Sequence, residues 1–126
     1  MIDFNGSGFF ARLKKVDNGS YENMIKGILI ENEQIIGSYQ SIRDGVVFTN
    51  KRIITINVQG VTGKKKDFTS IPYSKITTFS LETAGVFDLD TELEIYMSAV
   101  GKVKFEFTGT TNVAEICRII STYALA

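Results

Sequence analysis

The sequence predicts a mainly β domain: seven antiparallel strands forming a small curved sandwich or open barrel, closed at one end by a C-terminal helix and preceded by short N-terminal helices. Three observations carry this. The apolar period changes from near 3.6 to 2 at Gln34, turn signals then recur at short spacing up to Phe107, and the last stretch returns to a helical period. At 126 residues and 44% hydrophobic content, the chain fits one domain over 1–126, with a helical segment at 1–30, a β core at 34–108 and a helix at 112–125.

In the N-terminal segment, Phe9, Leu13 and Val16 are spaced as on one helix (Gly8 to Lys15). Met24, Ile25, Ile28 and Leu29 are spaced as on a second (Ser20 to Ile30), with Asn18-Gly19 between them and Ser20 as its expected cap. The strand segments are Ile35 to Ile42, Val46 to Phe48, Ile53 to Val58, Phe68 to Ile71, Ile76 to Leu81, Leu93 to Ser98 and Val103 to Phe107. They are separated by Asp44-Gly45, Asn50-Lys51, Gly60 to Gly63, Pro72-Tyr73-Ser74, Gly85 and Gly101. Parallel pairing needs a long crossover, and no connection here is long enough, so the strands pair antiparallel. Asn50-Lys51 reads as a two-residue hairpin turn. Val113, Ile116, Cys117, Ile120 and Ala124 form the apolar stripe of the last helix. Asn112 and Glu115 start it in the manner of a capping box, and Cys117 is expected to be an inert core thiol.

Fourteen basic and fourteen acidic residues cancel, so no whole-molecule field favours nucleic acid or anionic lipid. One cysteine forms no internal disulfide, no apolar run approaches the ~20 residues of a membrane span, and no signal-peptide pattern opens the chain. A cytoplasmic protein is expected.

The segments Phe48-Thr49-Asn50-Lys51-Arg52, Gln59-Gly60-Val61-Thr62-Gly63-Lys64-Lys65, Ser70-Ile71-Pro72-Tyr73 and Glu82-Thr83-Ala84-Gly85-Val86-Phe87-Asp88-Leu89-Asp90, followed by Glu92-Leu93, resemble the bacterial pleckstrin-homology (PH-like) domain family in order and spacing. The similarity runs from about Ile28 to Leu125. It implies two nearly orthogonal antiparallel sheets of seven strands with a C-terminal helix plugging one open corner. It also implies a family without established enzymatic activity, whose members form ring-like homo-oligomers.

Catalytic chemistry finds little support in the residues. The chain has no histidine, which removes Ser-His-Asp and Cys-His nucleophilic arrangements and the commonest zinc ligand. Gly60 to Lys65 fails as a phosphate loop, since Val58 stands where glycine is required and Lys65 where Ser or Thr is required. Asp88, Asp90, Glu92 and Glu94 fail as a calcium loop, since Leu93 takes the glycine position and Ala99 the closing glutamate. No catalytic residue, metal site or cofactor is expected.

Charge order suggests assembly instead. From Lys51 to Lys66 there are five basic residues (Lys51, Arg52, Lys64, Lys65, Lys66) and no acid. From Ile76 to Gly101 there are five acids (Glu82, Asp88, Asp90, Glu92, Glu94) and no base. Two arrangements follow: the basic edge of one subunit meets the acidic segment of the next in a ring-like homo-oligomer, or the two patches face each other within one subunit. The rival functional class is a peripheral module binding anionic lipid or another anion through Lys64-Lys65-Lys66. An unidentified protein partner is compatible with the first class; nucleic acid is not expected.

Overall fold

The computed structural model describes residues 10–83, 91–108 and 112–126. Among these residues eight strands form two antiparallel sheets. One has the order β1 (Lys14–Val16), β2 (Ile35–Gln40), β3 (Gly45–Thr49), β4 (Arg52–Gln59), β5 (Lys65–Pro72); the other is β6 (Thr78–Glu82), β7 (Thr91–Met97), β8 (Gly101–Phe107). The seven predicted strands are all present, and β1 is the addition. Among the described residues two helices, α1 (Gly19–Ile25) and α2 (Val113–Ala124), accompany the sheets, with a 3-10 turn at Tyr73–Lys75 between the sheets.

The expected helix from Gly8 to Lys15 does not form in its described part. Phe10 and Arg12 have φ of 56° and 57°, and Leu13 runs into β1. This segment stitches the sheets together: the Leu13 amide donates to the Glu106 carbonyl at 2.8 Å, and the Glu106 amide donates to the Phe10 carbonyl at 3.0 Å. Phe10 and Leu13 are fully buried. Burial of two large side chains contributes about 1.5–3 kcal/mol each and outweighs a weak local helix preference. The second helix is shorter than expected. It ends at Ile25, two residues before Gly27, and its N-cap is Asn18, not Ser20, with no side-chain cap.

Alternation in the strands sends side chains into two apolar layers. The main core lies between the sheets and under α2, where Tyr39 packs edge-on against Phe48 and Phe107. A second cluster of Tyr21, Ile25, Val47, Ile54 and Ile56 lies on the other face of the larger sheet, beneath α1. The C-terminal helix starts as the sequence predicts, with the Glu115 amide donating to the Asn112 side chain at 3.2 Å. Among its described side chains Ile116, Ile119 and Ile120 are buried, whereas Cys117 is half-buried at the edge of the stripe, short of the core position expected for it; the Val113 side chain lies outside the described ones.

Candidate functional site

The Thr49–Arg52 turn joins β3 and β4 through two residues, as predicted, but neither Asn50 nor Lys51 takes a positive φ. The turn closes through Thr49, whose Oγ1 accepts from the amides of Lys51 and Arg52, both at 3.0 Å. A threonine hydroxyl accepting two amides, and not a glycine at positive φ, closes this turn. Asn50 clamps the loop before β2: its Oδ1 accepts from the Gln34 amide at 2.7 Å and its Nδ2 donates to the Asn32 carbonyl at 2.9 Å.

Arg52 is committed to structure. Its Nε and Nη2 donate to the two Glu33 carboxylate oxygens at 2.9 Å each, Nη2 also to the Ile28 carbonyl at 2.7 Å, and Nη1 to Ser70 Oγ at 2.8 Å. The Glu33 side chain is completely buried. Burial by itself raises a carboxyl pKa, but bonds from Arg52, the Ile30 amide and Thr49 outweigh it and hold Glu33 below its usual value. Tyr73, whose hydroxyl donates to the Thr49 carbonyl at 2.8 Å, is pushed strongly up by burial. Glu33 was not singled out in the sequence. Its signal is weak: an acid beside Asn32, nineteen residues before Arg52, with no spacing rule to connect them.

Lys64 precedes β5, and Lys65 and Lys66 open it. All three are exposed, as is Lys51, and none forms an ion pair among the described residues. The Gly60–Gly63 tip between β4 and β5 is a turn with φ of 81° and 69° at its two glycines, leading into a strand and not a helix. Arg43, at the β2–β3 tip, donates to the Gly60 carbonyl at 2.7 Å and so ties the two tips together. Each tip holds out an aliphatic side chain, Ile42 and Val61, both almost wholly exposed.

The acidic residues divide. Glu92 and Glu94 share the outward face of β7, with Leu93 and Ile95 buried opposite, as spacing two requires. Their partners are on the adjacent strand of the same sheet: Lys104 lies 3.7 Å from Glu92 and 3.6 Å from Glu94, and Lys102 lies 3.7 Å from Glu94. Lys102-Val103-Lys104-Phe105 runs antiparallel opposite Leu93-Glu94-Ile95-Tyr96, an alternation that a patch bounded at Gly101 excludes. Glu82 sits at the end of β6, directly across from Glu92, with no cationic partner among the described residues. Asp88 and Asp90 lie outside the described residues.

Among the described residues there is no cluster of three or more metal-ligating side chains, and no helix is long and apolar enough to cross a membrane. A largely apolar cavity of about 220 Å³ opens where the end of β5 meets the β7–β8 turn, lined by Ile71, Pro72, Met97 and Val100, with Lys75 among its walls.

Comparison with known proteins agrees with this architecture. The family model described as bacterial PH domain matches residues 5–124. Uncharacterized protein YjqA of Bacillus subtilis is 35% identical over 120 residues, covering 94% of this chain and 96% of that one. Among solved structures, a DUF1696-family protein with a pleckstrin-homology domain from Shewanella loihica superposes with a TM-score of 0.80 at 39% identity, covering 90% of this chain and 98% of that one. A pleckstrin-homology domain from Shewanella amazonensis superposes with a TM-score of 0.69 at 40% identity, covering 97% and 95%. With two antiparallel sheets, a C-terminal helix packed on their core and a family match across nearly its whole length, this chain belongs to the bacterial pleckstrin-homology domain family.

Proposed function

We propose that the protein is a noncatalytic, cytoplasmic interaction module that self-associates, the basic edge of one copy meeting the acidic segment of the next and closing into a ring. The observation that carries this reading is the contrast between satisfied and unsatisfied charge. Arg52, Glu92 and Glu94 have partners within the subunit, whereas Lys51, Lys64, Lys65, Lys66 and Glu82 have none among the described residues. Opposite charges left open at different strand ends favour a heterologous contact, which closes when the rotation between copies permits.

Light scattering coupled to size exclusion tests the reading at about 50 mM and about 500 mM salt, concentrations that bracket strong and weak screening. The expected species is several times the 14.0 kDa chain mass and dissociates in part at the higher salt. A monomer at both salts overturns the reading.

Exposed Ile42 and Val61, flanked by Arg43 and Lys64, favour a second reading in which the two joined tips bind an anionic membrane surface. Sedimentation with phosphatidylserine vesicles checks it: pelleting should drop when Lys64, Lys65 and Lys66 become glutamate, and unchanged pelleting removes the lysines from any such role.

A further inference from the structure

The two sheets part at the end of β5, and the apolar cavity of about 220 Å³ stands where they part. Pro72, the last residue of β5, has no amide to offer a ladder, and the chain turns at Tyr73–Lys75. From Thr77 it bonds to β7 instead, the Thr77 amide donating to the Tyr96 carbonyl at 3.0 Å. The corner is held in place by Tyr73, which is bonded through its hydroxyl to the Thr49 carbonyl and stacked on Tyr123 with ring centroids 5.2 Å apart. The opening beside it is therefore built into the fold. Its inner walls are Ile71 and Met97, both buried in the main core, and its outer walls include Pro72 and the half-buried Val100.

Polar groups around the cavity are few, and most are engaged. Thr69 Oγ1 donates to Asp67 Oδ1 at 2.7 Å, and Ser70 Oγ accepts from Arg52 Nη1 at 2.8 Å. Lys75 differs: it is exposed at the end of the turn and forms no ion pair among the described residues. Water in such a space finds few partners, so an apolar body that displaces it gains free energy. A cavity of about 150 Å³ accepts benzene. The larger volume here holds a ring or short chain of that size and leaves room at the mouth for a head group. Lys75 sets the charge of that head group. One ammonium is a point charge that a single carboxylate matches, whereas phosphate sites favour the arginine fork, and no arginine lines this cavity.

We propose that the cavity binds a small monocarboxylate, its apolar body against Ile71, Met97 and Val100 and its carboxylate paired with Lys75. The flexible thioether of Met97 lets the inner wall adapt to a ring or a chain. The site uses neither Lys64, Lys65 and Lys66 nor the β2–β3 tip, so it stands or falls apart from the self-association and membrane readings.

Methionine methyl groups labelled with carbon-13 test the site on the full chain by NMR. The three reporters are Met1, Met24 and Met97, of which Met97 lines the cavity and Met24 lies on α1, away from it. The Met97 signal is identified by its loss in Met97→Leu, a volume-conserving exchange. Titration with phenylacetate should move the Met97 signal saturably, with a Kd of about 1–10 mM for so small a ligand, and leave Met24 in place. Lys75→Gln, at an exposed position that the fold tolerates, should weaken phenylacetate by about fivefold and leave the neutral analogue 2-phenylethanol unchanged. No saturable shift of Met97 up to about 50 mM, well above that range, overturns the site. Equal movement of Met24 and Met97 also overturns it, since that pattern reports adsorption over the whole surface. A Met97 response that is the same for phenylacetate and 2-phenylethanol, and the same in Lys75→Gln, overturns the carboxylate and its pairing with Lys75.

Discussion

The Thr49–Arg52 turn and the Lys64–Lys66 strand start are both basic, and they use their charge in opposite ways. At the first, a guanidinium grips a buried carboxylate with two bonds at 2.9 Å and reaches two further acceptors, so the charge is spent on holding β4, β5 and the loop before β2 together. At the second, three ammonium groups stand in solvent. The difference teaches that a basic residue next to a turn is not evidence of a binding site by itself. Arginine's planar fork suits a desolvated pair, whereas lysine is a strongly hydrated point charge that remains at the surface unless something comes to it.

Breaking the first region should have the largest effect. Arg52→Ala leaves Glu33 buried without its counter-charge, and denaturant unfolding should show a loss of about 3–5 kcal/mol. Arg52→Lys should recover only part of this, because one ammonium group does not reproduce the fork.

The comparison sharpens under acid. Glu33's folded pKa is held below its unfolded value, so its contribution to stability is fully present above the unfolded pKa of about 4.5 and is lost as pH falls through the folded value. Glu33→Gln should therefore cost about 1–3 kcal/mol near neutrality and show a shallower decline below about pH 4.5 than the unaltered protein. Parallel declines in the two proteins would remove Glu33 from the acid response.

The smallest effect on folding is expected at the second region. Changing Lys64, Lys65 and Lys66 to glutamate should move stability by only about 0.5 kcal/mol per site, measured by thermal unfolding, while changing the mass in solution. A large loss of stability there would mean that these lysines are structural after all, and the contrast between the two regions would fail.

Strand positions, antiparallel pairing and the C-terminal helix were legible because each leaves a local periodic trace: alternation from Ile35 to Phe107, turn residues at short intervals, and Asn112 capping through Glu115. The N-terminal segment misled the same reading. Phe9, Leu13 and Val16 fit a helix, but Leu13 is instead held by the backbone of β8, at a sequence distance that no local rule spans. The charge patches misled it too, since a stretch of chain without lysine became a surface with Lys102 and Lys104 upon it once β8 folded back on β7.

The sequence by itself determined the family, seven of the strand segments and the absence of histidine chemistry, because composition, short-range period and motif spacing are properties of the chain alone. Only the tertiary structure decided which charges are already partnered. Ion pairing depends on a few ångströms between residues such as Glu33 and Arg52 that are distant in sequence, and those distances exist only after the sheets have packed.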